Sequence, residues 1–205
     1  WAEDGTTITG LDETKLAGKT KIRIPSKCKV IRSDYAHDGT ESYRSFIAGI
    51  EEVEIPDTVT ELGYAAFHNF RKVKKINIPN SVTSIGECAF YWCDSIISIT
   101  IPDSVTSIGD SAFNRCSSLT SIAIPESVTS IGRGAFFNCS SLTSITIPES
   151  VTSIEYRAFY GCSSLTSITY NGTQSQWNSI SKDSTWKDNS VIKTITCTDG
   201  VIQIN

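Results

Sequence analysis

The heptapeptide CSSLTSI stands at 116–122, at 139–145 and at 162–168, each copy 23 residues after the one before. Prolines 56, 79, 102, 125 and 148 keep the same interval. A fixed period of this length marks a stack of repeated units, because one such unit is too short to bury a hydrophobic face by itself. Unit 102–124 reads PDSVTSIGDSAFNRCSSLTSIAI and unit 125–147 reads PESVTSIGRGAFFNCSSLTSITI, so they differ at six of 23 positions. Five units of this kind span 56–170.

Within a unit the apolar places persist while the letters between them drift. Val105, Ile108, Ala112, Phe113, Cys116, Leu119, Ile122 and Ile124 are matched in 56–78 by Val59, Leu62, Ala66, Phe67, Phe70, Val73, Ile76 and Ile78. Stacked coils would roof these side chains over one another. LTSIAI puts Ile122 and Ile124 two apart, which is strand periodicity. Pro125 then stops pairing, since it has no N–H to give. SVTSIG reads as a second short extended piece, with Gly63, Gly86, Gly109 and Gly132 at a turn after it. Glu155 fills that place in the last unit, so a left-handed conformation is not obligatory there. DSAF and RGAF suit a helical turn. The expected fold is an α/β solenoid: 23-residue coils, a parallel β-sheet on one face, short helical turns elsewhere and irregular caps.

L-x-x-I-x-I-P followed by V-x-x-I-G-x-x-A-F-x-x-C resembles a leucine-rich repeat, and more narrowly the BspA-like family of bacterial and some protozoan surface proteins. The resemblance covers 56–170 tightly and 22–205 more weakly. It implies an exported, adhesin-like solenoid, often part of a longer protein, that attaches to host proteins or other cells.

Both ends depart from the period. Pro25 to Pro56 is 31 residues, a net insertion of eight near RSDYAHDGTESYRS at 32–45. After Tyr170 the repeat fails, and IKTITCTDGVIQI reads as two strands about Asp199-Gly200, a good hairpin turn. The expected organisation is one domain over 1–205: an N-terminal cap and irregular first coil at 1–55, five regular repeats at 56–170 and a C-terminal cap with a hairpin at 171–205. Trp177 and Trp186 are expected to close the last coil, with a sugar site there as the minor alternative. The chain starts at Trp1 and has no methionine, so it reads as a mature or excised piece of a longer protein.

Charge narrows the partners. The formal net charge is -4, with no basic excess to neutralise phosphates, so nucleic acid is a poor partner. No apolar run reaches transmembrane length, and direct membrane insertion is not expected. Catalysis is not expected either. His37 and His68 belong to no metal-ligand cluster, and no Ser–His–Asp set can be assembled from the spacing. Asp183 and Asp188 read as polar cap residues rather than a carboxylate pair flanking a cleft. No cofactor signature is present. Cys93, Cys116, Cys139 and Cys162 form a linear ladder with one thiol per coil. A structural zinc site needs ligands that converge, and Phe70 fills the same place in 56–78, so the ladder reads as buried packing thiols and no metal is expected. Asn171-Gly172-Thr173 and Asn138-Cys139-Ser140 are formal glycosylation acceptors.

Three places per coil are expected to face outward around the main strand. They read Thr20, Lys21, Arg23, then Glu51, Glu52, Glu54, then Lys74, Lys75, Asn77, and beyond that mostly Ser and Thr. The charges either pair across neighbouring strands or mark a polar binding surface. The insertion mixes Tyr35, His37, Asp38, Glu41, Tyr43 and Arg44. It reads either as a binding loop, since tyrosines give large contact area with a polar tip, or as a lid with its rings folded inward. Together with Lys74 and Lys75 these residues form the candidate binding set. The expected function is noncovalent attachment to a cell-surface protein or glycan, in a secreted or surface location. A passive spacer is the alternative, and a hydrolase sited near 171–197 is a remote third.

Overall fold

A computed structural model of the chain describes residues 6–9, 18–33 and 49–204. The backbone winds as a β-solenoid of about seven turns. Two strand sets run along it. The shorter strands are β1 (Thr7–Ile8), β3 (Val30–Ile31), β5 (Glu61–Leu62), β7 (Ser84–Ile85), β9 (Ser107–Ile108), β11 (Ser130–Ile131), β13 (Ser153–Ile154) and β15 (Ser181–Lys182). They pair in that order as one parallel sheet. The longer ones are β2 (Lys21–Arg23), β4 (Glu52–Glu54), β6 (Lys75–Asn77), β8 (Ser98–Thr100), β10 (Ser121–Ala123), β12 (Ser144–Ile147), β14 (Ser167–Tyr170) and β16 (Thr194–Cys197). They form the second parallel sheet, closed at its C-terminal edge by β17 (Gly200–Gln203), antiparallel to β16.

Register follows the period: Ser121, Ile122 and Ala123 lie beside Ser144, Ile145 and Thr146. Each coil therefore repeats the side-chain direction of the last, and a residue that points inward once points inward throughout. A short turn follows each proline, with the Val105 amide donating to the Pro102 carbonyl at 3.0 Å. The preceding serine side chains tie coil to coil: Ser104 Oγ donates to the Val82 carbonyl at 2.6 Å, and Ser81, Ser127 and Ser150 do the same one or two coils away.

The expected α/β class and its helical turns are not formed. Among the described residues the helix is α1 (Gln174–Ser179), which lies in the cap and is opened by a capping box on Thr173 and Gln176. The run after each short strand from β5 to β13 instead contains two left-handed residues, such as Ser111 at φ 54 and Arg115 at φ 60. These interrupt any right-handed helix. Alternate amides then turn outward along the stack, with Ser111, Phe113 and Arg115 donating to the carbonyls of Arg133, Ala135 and Phe137 in the next coil at 2.7–2.8 Å. The turn run is thus a third line of coil-to-coil hydrogen bonds.

The glycines after the short strands have a different role from the one their turn position suggests. Gly109 is not left-handed. A Cβ there would sit 2.6 Å from the Glu87 nitrogen and 2.7 Å from the Gly86 carbonyl carbon. At Gly109 close approach of successive coils, rather than backbone freedom, excludes a side chain, whereas the last repeat carries Glu155 at this place.

The core is continuous from Ile8 to Cys197. Phe67, Phe90, Phe113, Phe136 and Phe159 stack along it with centroids 5.3–5.5 Å apart. The last ring meets Trp186 edge-on, at 5.9 Å and 85°. Trp177 and Tyr170 extend that closure. Both tryptophans are buried.

Candidate interaction surface

The outer face of the long-stranded sheet carries the charged rungs. Lys21 Nζ lies 2.8 Å from Glu52 Oε1 and 2.6 Å from Glu54 Oε1, and Arg23 Nε donates to Glu54 Oε2. The hydrogen bonds from Lys21 and Arg23 hold the Glu54 carboxyl below its ordinary range, and the hydrogen bonds to Glu52 and Glu54 raise Lys21. Lys21, Arg23, Glu52 and Glu54 therefore satisfy one another. Lys74 and Lys75 come next. Both are exposed, Lys75 faces Glu52 in register, and among the described residues neither has an ion-pair partner within 4 Å. Ile97 adjoins them, its amide donating to the Lys74 carbonyl, and it is 51% exposed.

Beyond Ile97 the surface is hydroxyl. Thr120 Oγ1 donates to the Ile97 carbonyl at 3.1 Å and Thr143 Oγ1 to the Thr120 carbonyl at 3.0 Å. These hydroxyl protons are used within the solenoid and leave acceptor lone pairs facing water. Tyr35, His37, Asp38, Glu41, Tyr43 and Arg44 lie outside the described residues.

Cys93, Cys116, Cys139 and Cys162 are buried free thiols. Each Sγ lies 3.1–3.2 Å from the carbonyl of Phe67, Phe90, Phe113 or Phe136 in the coil before. That carbonyl also accepts an amide of its own coil, as Phe113 does from Cys116 N at 3.2 Å. The thiol gives a buried carbonyl oxygen its second donor. Burial pushes the Cys162 thiol up to about 12 and raises the other three as well. Cys28 and Cys197 are buried free thiols too. Cys88 is half-buried, and burial together with Glu87 and Asp110 raises it to about 11.

At the cap a cavity of about 240 Å³ is lined by Glu149, Thr152, Tyr170, Ser175, Gln176 and Ser179, among others. Glu149 is the one carboxylate in its lining, and its Oε2 accepts from Gln176 Nε2 at 3.2 Å. Asp183 accepts from the Thr185 amide and hydroxyl, and the Asp188 carbonyl accepts from the Gly161 amide. The two aspartates thus have structural partners and do not line the cavity. Asn171 is exposed, with its amide on Glu126 Oε1 at 3.1 Å. Among the described residues no helix is long and apolar enough to cross a membrane.

Sequence reading missed the turn side. There the guanidinium carbons of Arg71 and Arg115 lie 4.9 and 5.2 Å from the Trp92 ring centre. Tyr91 packs against Trp92 edge-on. Farther along, Phe137 and Tyr160 stack at 4.7 Å, and Arg157 lies 4.9 Å from Tyr156 and 5.0 Å from Tyr160. The available signal was where neighbouring units differ.

The family model for the BspA type leucine-rich repeat region, in six copies, matches at 19–91, 39–166 and 107–205. The chain belongs to the BspA type leucine-rich repeat family. Its solved relatives in shape are bacterial leucine-rich repeat proteins. A T. pallidum leucine-rich repeat protein is 26% identical, with a TM-score of 0.63 over 74% of this chain and 72% of that one. A Bacteroides ovatus leucine-rich repeat protein is 25% identical, with a TM-score of 0.59 over 88% of this chain and 55% of its own. One from Eubacterium ventriosum shares the fold at 24% identity, with a TM-score of 0.67 over 98% and 51%. The chain spans about half the length of the last two. No curated protein matches it. BspA type repeats are non-enzymatic repeat modules, and membership suggests a protein-interaction or surface-protein role.

Proposed function

We propose that this chain is a secreted or cell-surface adhesion module that holds a protein or glycan of another cell by noncovalent contact, with no chemistry performed on it. The observation that supports this is the Lys74, Lys75 and Ile97 patch, two exposed cations beside an exposed aliphatic side chain, next to rungs whose charges are already paired. Such a patch offers both charge and apolar area to a partner. The insertion with Tyr35 and Tyr43 is proposed as part of the same binding apparatus. A stable contact needs roughly 1,000 Å² of total buried area, more than one patch provides, so repeated weak contacts in a longer parent protein fit the scheme.

The hydroxyl rungs favour a second reading, a passive spacer, because their protons are already engaged along the solenoid. A binding assay of the purified chain on intact cells separates the two. Attachment should fall in Lys74→Thr/Lys75→Ser, which carries the residues of 120 and 121, and in Tyr35→Ser/Tyr43→Ser, with the thermal transition preserved. Absence of attachment to cells, protein arrays and glycan arrays would leave the spacer.

A further inference from the structure

Units 102–124 and 125–147 differ at six places, and four of them, 110, 111, 114 and 115, lie in the turn run. Units 125–147 and 148–170 also differ at six, and five, 132, 133, 134, 137 and 138, lie there. The long-stranded face of these coils stays almost letter for letter the same. What individuates a coil is therefore on the turn side, where Trp92, Phe137, Tyr156, Tyr160, Arg115 and Arg157 stand among Asp, Ser, Asn and Gly.

We infer that the turn side is a binding surface for an acidic, carboxylate-bearing polysaccharide. This deepens the adhesion reading above and rests on it. Two cation–aromatic stations make the surface. At the first, Arg71 comes from the coil before Trp92 and Arg115 from the coil after, so one indole props two guanidinium groups. Arg115 is exposed, and its guanidinium has no hydrogen-bond partner among the described residues. At the second, Arg157 is propped by Tyr156 and Tyr160, and its Nε is buried with no acceptor. Planar guanidinium groups held in place by rings lose little freedom when they take a carboxylate in a fork. Trp92 and Tyr160 lie three coils apart, about 14 Å at strand spacing, a span that suits an extended chain and not a small molecule.

The surroundings favour sugar over a protein partner. A protein interface needs a desolvated apolar centre. Of the exposed large hydrophobic residues described, Ile97, Tyr156, Val191 and Val201, only Tyr156 belongs to the turn runs of the repeats. Aromatic edges and faces with arginine forks, and no aliphatic patch, match a polymer of C–H faces and carboxylates. The acids on this side are Asp94, which lies 3.5 Å from Arg71 and interacts with Arg115 as well, Asp110, which accepts from the Arg133 amide, and the exposed Glu87 and Glu155.

The test uses polygalacturonate as probe and neutral dextran as control, with affinity measured by calorimetry or surface resonance at several salt concentrations. Each variant takes a residue that another coil already carries at the same place, so the fold is preserved. Trp92→Asn copies Asn69 and Asn138, Arg115→Asn copies Asn138, and Arg157→Ser copies Ser111. The whole chain should bind polygalacturonate in a salt-sensitive way and leave dextran unbound. Arg115→Asn/Arg157→Ser should weaken binding by about tenfold or more, as expected for loss of charged hydrogen bonds. Lys74→Thr/Lys75→Ser, on the long-stranded face, should weaken it less than the arginine pair does. Binding lost in the lysine variant and kept in the arginine variant overturns the inference and leaves the adhesion reading standing on the sheet face. No binding to polygalacturonate also overturns it, and the cell assay then judges adhesion separately.

Discussion

The regular coils and the C-terminal cap meet the same demand with opposite means. Between Phe90 and Phe159 each buried face is covered by a near copy of itself, ring on ring at 3–5°. In the cap Trp186 turns edge-on to Phe159, with Trp177 and Tyr170 behind it. A ring stacked face to face offers a second face to the next coil; an edge-on indole does not, so the series stops. Hydrogen bonding changes in step. The forward-pointing amides of Phe159 and Gly161 find Trp186 and Asp188 carbonyls rather than those of another repeat. A coil is one of several equivalents, whereas the cap is singular, and the two should fail in different ways.

Alkali should break the coils. They hold the four ladder thiols, whose protonated form the folded interior favours. An unfolded thiol ionises near pH 8.5. Above that, the unfolded chain releases protons that the folded chain keeps, so stability falls as pH rises, until the folded thiols themselves ionise. The slope is about 1.4 kcal/mol per pH unit for each ladder thiol. Urea unfolding measured from pH 8 to 10.5 should show this decline, and Cys139→Ala should remove one thiol's share of it. An unaltered slope in that variant would take the ladder out of the account.

Loss of Trp186 should break the cap instead. Trp186→Ala is expected to cost about 3–5 kcal/mol and to raise amide exchange first over 155–204, measured by mass spectrometry. A uniform rise along the chain would mean that the end is not a distinct weak point. The smallest effect sharpens the equivalence of the coils. Ser104→Ala and Ser127→Ala each remove one rung of the serine ladder, and each should cost about 1 kcal/mol in urea unfolding. A clear difference between them would show that repeated letters do not make repeated energetics.

The period made the coil legible, because inward places recur in register and Val105, Ile108, Phe113, Leu119 and Ile122 are all buried. The turn conformation was not legible. Its two left-handed places hold Ala65, Cys88, Ser111, Gly134 and Arg157 in one column and Asn69, Trp92, Arg115, Asn138 and Gly161 in the other. Gly and Asn suit that region, but Ala65, Cys88, Ser111, Arg157, Trp92 and Arg115 signal nothing of it. DSAF reads as helical by local preference, and bonding to the next coil overrides that preference. The role of Gly109 was hidden for a related reason: its constraint comes from Gly86 and Glu87 one coil away. On the surface, Lys74 and Lys75 were readable from strand alternation. The Trp92 station was not, since its arginines stand 21 and 23 residues off and meet it only after winding.

The joint formed by a phenylalanine carbonyl, its own coil's amide and the next coil's thiol recurs between the regular repeats. Any whole unit can therefore be spliced in or cut out with matching seams on either side. Length becomes an inheritable variable, adjustable in steps of about 4.8 Å, while the C-terminal closure stays as it is. Recombination between near-identical units would slide the two arginine stations toward or away from each other, and so retune their spacing without redesigning either one.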